Sequence, residues 1–130
     1  MTLCVSAVVA SVMADYRKLR VWERSVKLAV RVFDIADRIR MAGHVDLSDQ
    51  MKGSAESIGS NIAEGSGHTS RKEFARYLTY SIASSCELEN QINLAAEVHV
   101  MTFREKGPLD QEIEGVRKML TRLRDRINPS

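Results

Sequence analysis

Residues 109–127 read LDQEIEGVRKMLTRLRDRI, and this segment gives the clearest indication of the fold. Its apolar residues recur at alternating steps of four and three, the a/d spacing of a helix that packs along one seam. The residues of this seam are Leu109, Ile113, Val116, Leu120, Leu123 and Ile127. The pattern predicts an amphipathic helix from Leu109 to about Ile127, with basic residues on its outer side.

Three more helices are expected before this segment, because apolar residues recur there with helical spacing too. Their expected bounds are Tyr16–Met41, Leu47–Glu64 and Ser70–Met101. Gly43 is expected to stop the first helix, Ser70 and Glu73 form a capping-box sequence, and Gly107-Pro108 is expected to break the chain before the last helix. Four helices joined by short links predict an all-α fold, an antiparallel up-down-up-down four-helix bundle over residues 16–128.

The composition is that of one soluble domain, since 44% of the 130 residues are hydrophobic and 28% are charged. Cys4 and Cys86 are too far apart for a Cys-x-x-Cys motif, so we expect a reducing, cytoplasmic location. Residues 1–15 are expected to be a disordered or mis-started extension, with a docking or targeting segment as the alternative. The apolar part of this segment is too short and too rich in serine to span a membrane, and no membrane partner is expected.

Two apolar lines run along the first expected helix, and together they cover roughly 220° of its circumference. One line contains Trp22, Val26, Ala29, Val30 and Phe33. The other contains Val21, Leu28, Val32, Ile35 and Ile39. The core of one bundle needs a narrower stripe, so we expect the second of these lines to form a subunit interface.

The basic residues of the first and last helices give the best indication of function. The net charge is only +2, but residues 1–40 carry +4, residues 41–112 carry −5 and residues 113–130 carry +3. Cations grouped on one surface can neutralise phosphates, which supplies most of the nonspecific affinity for nucleic acid. The predicted contact residues are Arg17, Arg20, Arg24, Lys27, Arg31, Arg117, Lys118, Arg122 and Arg124. A solvated face is the alternative, since acidic residues dilute the charge of the first helix and no aromatic residues are interleaved with it.

The second helix combines small and polar residues in a way that predicts a buried polar network. Residues 50–65 read QMKGSAESIGSNIAEG, with polar side chains on every side of the helix. Some of them must therefore be buried, where they need hydrogen-bond partners. We expect a structural network between the second and third helices, with a ligand site as the alternative. Its predicted members are Gln50, Asn61, Glu64 and Glu87.

Residue types used in catalysis or metal binding are present, but not in a familiar pattern. The three histidines, His44, His68 and His99, have no partner at metal-ligand spacing. The chain has no Glu-x-x-His of the kind that di-iron bundles use, and Gly65-Ser66-Gly67 lacks the lysine of a Walker loop. We therefore expect no metal, no cofactor and no enzymatic activity.

The segment Ser57-Ile58-x-x-Asn61-Ile62-Ala63-Glu64-Gly65 resembles the SIPxNIAEG signature of a family of small four-helix-bundle proteins. Members of that family are encoded in intervening sequences of bacterial large-subunit ribosomal RNA genes. The same superfamily includes the accessory variability determinant of diversity-generating retroelements. Further matches are Leu19-x-Val21-Trp22-Glu23, Gln50, Lys72-Glu73-Phe74-x-x-Tyr77-Leu78, Glu87-Leu88-Glu89 and Met119-Leu120-x-x-Leu123.

The resemblance implies a homopentameric ring without enzymatic activity. In the retroelement branch it also implies binding to a reverse transcriptase and to nucleic acid through a basic surface. Gly53 and His68 stand where the family often has arginine, Gly59 where it often has proline, and Ala83 at a frequent glycine position. The expected function is a non-enzymatic homo-oligomeric adaptor for structured RNA or DNA, or for a nucleic-acid enzyme. The alternative is a protein-only scaffold with no affinity for nucleic acid.

Overall fold

The structure, a computed structural model, describes residues 15–68 and 70–129. Asp15 caps a short 3-10 turn at Tyr16–Lys18. Four α-helices follow: α1 (Arg20–Met41), α2 (Val45–Ser66), α3 (Arg71–Glu97) and α4 (Phe103–Ile127). No strand occurs in the described ranges, and the all-α prediction is confirmed. Apart from Asp15, the extension expected at residues 1–15 lies outside the described residues.

Neighbouring helices run antiparallel in an up-down-up-down bundle. α1 packs against α2 and α4, and α3 packs against the same two helices. Near the start of α2, Ser48 Oγ donates a hydrogen bond to Ala36 O in the second half of α1 at 2.7 Å. Near the end of α4, Arg124 Nη1 lies 3.5 Å from Thr79 Oγ1 in the first half of α3. The links contain three to five residues, which is long enough only for direct antiparallel connections.

α1 and α3 end in the same way, through a residue with a positive φ angle. Gly43 has φ of 100° and His99 has φ of 63°. In each case this residue and the next donate their N–H groups back to carbonyls of the last turn, which is the Schellman arrangement. The predicted stop at Gly43 is confirmed, whereas α3 ends at Glu97 rather than at the expected Met101.

α4 begins earlier than predicted, and the break expected at Gly107-Pro108 is wrong. Thr102 Oγ1 accepts a hydrogen bond from the Glu105 N–H at 3.1 Å, and the Glu105 carboxylate accepts one from the Thr102 N–H at 3.2 Å. This capping box satisfies two N–H groups that a helix start would otherwise leave unpaired. Pro108 lies in the second turn and removes a single N–H from the ladder, which the capped helix tolerates.

Apolar side chains from all four helices fill the core. The predicted seam of α4 is buried except for Leu123, which is half-buried against the core. Phe74 of α3 and Met51 of α2 are among the largest fully buried side chains. The free energy of burial, about 25 cal/mol per Å² of apolar surface, is the main term that holds the helices together.

Serine takes the polar positions inside the bundle. Seven serines of the described chain are buried: Ser25, Ser48, Ser54, Ser66, Ser81, Ser84 and Ser85. Two of them donate to backbone carbonyls of the neighbouring helix: Ser48 Oγ to Ala36 O at 2.7 Å and Ser81 Oγ to Ile58 O at 2.8 Å. Because serine is small and its hydroxyl finds a partner in the neighbouring helix, α2 and α3 approach each other closely.

Candidate nucleic-acid interface

Charge is divided along the bundle axis rather than across one face. Because the helices alternate in direction, the starts of α1 and α3 lie at the same end as the ends of α2 and α4. The half of the bundle at this end, residues 15–30, 56–84 and 116–129, contains 13 Lys/Arg and 6 Asp/Glu, a net charge of +7. The other half, residues 31–55 and 85–115, contains 6 Lys/Arg and 11 Asp/Glu, a net charge of −5. We call these the basic half and the acidic half.

Eight of the nine predicted contact residues lie in the basic half, and Arg31 lies just beyond its limit. Arg24 is half-buried against α4 and mainly joins two helices. Its Nη2 lies 3.1 Å from Glu112 Oε1, and its Nη1 lies 3.2 Å from Met119 Sδ. A Cβ on Gly115 would lie 2.8 Å from Nη2, so this glycine makes room for the guanidinium.

Arg117 is a second predicted contact residue that serves as a tie between helices. Its Nη2 lies 2.9 Å from Glu89 Oε2, and its Nε donates to Ser85 Oγ at 3.0 Å, so it links α4 to α3. A guanidinium that is held by two partners on the neighbouring helix contributes to packing. Arg24 and Arg117 are therefore less available to a ligand than the sequence predicted.

Four predicted residues form largely exposed ion pairs within their own helix or turn. The pairs are Arg17–Asp15, Lys27–Glu23, Lys118–Glu114 and Arg124–Asp125, with N–O distances of 3.0 to 3.4 Å. The side-chain hydrogen bond from Arg17, followed by the one from its backbone N–H, lowers the pKa of Asp15. Exposed pairs of this kind are screened by solvent and add little to stability, so a phosphate can replace the carboxylate at little cost.

Eight cations make no ion pair with any residue in the described ranges, and one of them is Arg104 of the acidic half. Arg20, Arg31 and Arg122 belong to the predicted set. Lys18, Arg71, Lys72 and Arg126 are exposed residues of the basic half that the sequence prediction omitted. In an antiparallel bundle, the start of the third helix lies at the same end as the start of the first helix and the end of the fourth. The basic residues at these three helix ends could therefore have been grouped from the sequence by following the helix directions.

An aromatic cluster lies at the start of α3, within the basic half; its members are His68, Arg76, Tyr77 and Tyr80. The rings of His68 and Tyr77 are stacked with centroids 5.1 Å apart, and Tyr80 meets Tyr77 edge-on at 5.5 Å. The guanidinium carbon of Arg76 lies 5.8 Å from the Tyr77 ring centroid and 5.7 Å from that of Tyr80. Tyr80 is 43% exposed. The sequence prediction missed this cluster because it considered the aromatic residues of the first helix alone.

Gly65, the last residue of the NIAEG segment, sets the position of Tyr77. A Cβ on Gly65 would lie 2.7 Å from Tyr77 Cβ and 3.0 Å from Phe74 Cδ1. Only glycine therefore lets the end of α2 approach α3 this closely. The backbone of α2 at Gly65 therefore packs directly against Tyr77 Cβ.

The predicted polar network between α2 and α3 does not form. Three of its four members are exposed: Gln50, Glu64 and Glu87. The fourth, Asn61, is half-buried and donates to Ser57 O of its own helix at 2.8 Å. Serines make the polar contact instead, with Ser57 Oγ donating to Ser84 Oγ at 2.5 Å. A hydroxyl is far less costly to bury than a carboxylate, so the charged residues face outward.

The apolar line of α1 that was predicted to form a subunit interface faces the core of the single chain instead. Within a single chain, four of its five residues are only 0–3% exposed: Val21, Leu28, Val32 and Ile39. The fifth, Ile35, is half-buried against the same core. Both lines have helical spacing, and only the positions of α2 and α4 decide which of them faces inward.

The other apolar line borders an open groove between α1 and α2, with a volume of about 510 Å³. Trp22, Val26, Val30 and Phe33 form one wall, and small residues of α2 around Gly59 form the other. Val30 is 59% exposed. We call this the apolar groove; it is the surplus apolar surface that the sequence indicated on the first helix.

No group of three or more His, Cys, Asp or Glu within residues 15–68 and 70–129 is placed to hold a metal ion. In the same ranges, none of the helices is both long and apolar enough to cross a membrane.

Comparison with known proteins places this architecture in a family. A crystal structure at 1.70 Å of a protein of unknown function from the S23 ribosomal protein family of Bacteroides thetaiotaomicron matches with a TM-score of 0.77 and 23% identity. The match covers 81% of this chain and 95% of that one, and at this identity it shows the fold alone. No curated protein matches the chain. The family model described as 23S rRNA-intervening sequence protein matches residues 17–122. As the NIAEG segment predicted, the chain belongs to the 23S rRNA-intervening sequence protein family.

Proposed function

We propose that this protein is a non-enzymatic, homo-oligomeric adaptor of the bacterial cytoplasm that binds structured RNA or another nucleic acid through its basic half. The observation that supports this function is the separation of charge, +7 in the basic half against −5 in the acidic half. Such a field orients an approaching polyanion and raises its local concentration at one end of the molecule. The second partner would be a nucleic-acid enzyme such as a reverse transcriptase.

Self-association through the apolar groove is the second part of the proposal. Val30 and Val26 are exposed there beside Trp22 and Phe33, and contiguous apolar surface of this kind is typical of an interaction site. In a ring, the groove of one copy would meet a different surface of the next copy. Five copies, the number that the family resemblance implies, would present five basic halves to one nucleic acid and strengthen binding through multivalency.

A protein-only scaffold is the alternative, and one observation favours it. Six of the nine predicted cations already have a carboxylate partner: Arg17, Arg24, Lys27, Arg117, Lys118 and Arg124. A scaffold of this kind would assemble through the apolar groove but would show no salt-dependent affinity for RNA.

Charge reversal at two unpaired cations tests the choice between these functions. Arg20→Glu combined with Arg122→Glu changes the charge of the basic half without breaking an ion pair within the described chain. We expect this variant to bind a structured RNA hairpin at least tenfold more weakly at low salt. The slope of log K against log salt concentration should fall by about 2, close to one unit for each lost phosphate contact. The assay is fluorescence anisotropy at a series of salt concentrations.

The matched control is Arg40→Glu combined with Arg104→Glu, which makes the same charge change at exposed positions of the acidic half and breaks only the exposed Arg40–Asp49 pair. Its affinity should stay within about threefold of the wild type. Equal losses in the two double variants would leave no role for the basic half. No measurable RNA binding by the wild type at low salt would instead favour the scaffold.

A further inference from the structure

We propose that the aromatic cluster at the start of α3 is a stacking site for an unpaired base of single-stranded nucleic acid. This inference rests on the proposed function, because it specifies which form of nucleic acid the basic half selects. The site is a surface of His68, Arg76, Tyr77 and Tyr80 rather than a cavity. Its ligand is a nucleotide whose base face is free.

The cluster is held in place before any ligand arrives. Tyr80 is 43% exposed, but its ring is supported by the edge-on contact to Tyr77 at 5.5 Å and by the Arg76 guanidinium carbon at 5.7 Å. Tyr77 is in turn fixed between the stacked His68 ring and the backbone of α2 at Gly65. A π-face with a fixed orientation binds a base with little loss of side-chain entropy.

Cations lie on the helix turn that precedes the cluster and at the end of α4 beside it. Arg71 and Lys72 are exposed in the first turn of α3 and make no ion pair with a described residue. The helix dipole disfavours cations at this position, so their presence is better explained by an external anion than by the stability of α3. Arg124 lies against Thr79, which is two turns into the same helix and directly precedes Tyr80, so the basic end of α4 reaches the cluster.

Aromatic faces beside a basic track are the features that bind single strands, because every base has a π-face and every nucleotide a phosphate. A duplex covers its base faces and would use only the cations. An acidic peptide would likewise use the cations and leave the rings without a function. The combination of stacked rings and unpaired cations therefore fits an unpaired nucleotide best.

Tyr80→Ala tests the site, with Tyr80→Phe as the control that keeps the ring. The probes are a twelve-nucleotide single-stranded RNA carrying one 2-aminopurine and the duplex of the same sequence. For Tyr80→Ala we expect single-strand affinity to fall by about 5- to 150-fold, the range for the loss of one stacked base. Duplex affinity should stay within about twofold. Stacking should quench 2-aminopurine fluorescence with the wild type and with Tyr80→Phe, and much less with Tyr80→Ala.

Tyr80 is exposed enough that the alanine variant should remain folded, which thermal unfolding checks. Wild-type affinity of Tyr80→Ala for the single strand would overturn the inference, as would equal losses for single strand and duplex. Displacement of the RNA by a polyglutamate peptide of equal charge, at equal concentration, would also overturn it. If any of these results is obtained while the double variant Arg20→Glu and Arg122→Glu still weakens RNA binding, the stacking site is refuted and the proposed function stands. A wild type that binds neither probe at low salt refutes both.

Discussion

α2 and α3 can approach each other closely because Gly65 has no Cβ atom. An added Cβ would meet the Cβ of Tyr77 at 2.7 Å, and neither atom can move without its backbone. By contrast, a Cβ at Gly53 of the same helix would meet nothing within 4 Å. Packing against α3 thus requires glycine at position 65, whereas glycine at position 53 only lowers the stability of the helix.

Alanine substitutions at these two glycines should have opposite effects on stability. Gly65→Ala is expected to lower the free energy of unfolding by about 1–3 kcal/mol, because the helices must separate to admit the methyl group. Gly53→Ala is expected to raise it by about 0.5–1 kcal/mol, because alanine has the higher helix propensity. Urea denaturation followed by circular dichroism measures both. Stabilisation by Gly65→Ala would contradict the close contact.

Residue-level prediction from the sequence was weakest where small and polar side chains share one helix. The sequence indicated that α2 buries polar groups, which is confirmed, but it named Gln50 and Glu64 rather than Ser48 and Ser54. Serine hydroxyls, rather than the predicted amide and carboxylate groups, make the polar contacts between α2 and α3. Which polar residue turns inward depends on where the neighbouring carbonyls lie, and a single sequence does not contain that geometry.

At the scale of the element, the start of α4 combines a capping box with an ion pair to α1. Arg38 of α1 donates a hydrogen bond to the Glu105 carboxylate. That hydrogen bond, together with the Thr102 backbone N–H, lowers the pKa of Glu105 below its ordinary value of 4.5. A carboxyl whose pKa is lowered by folding stabilises the fold while it is ionised. Its contribution is complete above the unfolded-state pKa and is lost as the pH falls through the folded-state pKa.

Glu105→Gln should therefore destabilise the protein in a pH-dependent way. Glutamine can still accept the cap hydrogen bond, so the variant removes mainly the charge. We expect a loss of about 0.5–1 kcal/mol at pH 7 that shrinks toward zero as the pH is lowered from 5 to 2. Glu114→Gln is the control, since Glu114 is 58% exposed in a pair within its own helix and should change little at either pH. A loss that is equal at both pH values would contradict the charge effect.

Element boundaries were predictable where a cap has a local sequence signature. Gly43 and the Ser70 cap were recognised, and both occur in the structure. The Thr102–Glu105 box was overlooked because Gly107-Pro108 gave the stronger local signal. A proline in the second turn proves compatible with the helix when a cap precedes it.

The whole bundle has two asymmetric features. Charge is separated along its axis into a basic half and an acidic half, and the apolar groove lies on one side. The bundle itself was predictable, because one buried line per helix and short links allow few other arrangements. The choice between the two lines of α1 was not predictable, since both have the same period. The charge polarity follows from the topology once helix directions are known.

Val30→Asp tests whether the apolar groove is a subunit contact. Val30 is 59% exposed in a single chain, so aspartate there is solvated in the monomer but would bury a charge in an assembly. We expect the wild type to be an oligomer and Val30→Asp to be a folded monomer by light scattering after size exclusion. Val98→Asp, at a 45% exposed position outside the groove, should leave the mass unchanged. A monomeric wild type would refute this part of the proposal.

Crosslink mapping determines directly whether nucleic acid binds at the basic half. Wild-type protein would be irradiated with RNA containing 4-thiouridine at low salt, and the crosslinked peptides identified by mass spectrometry. If nucleic acid binds at the basic half, we expect crosslinks within residues 15–30, 56–84 and 116–129, with a yield that falls as the salt concentration is raised. Crosslinks concentrated within residues 31–55 and 85–115, or crosslinks that do not respond to salt, would contradict it.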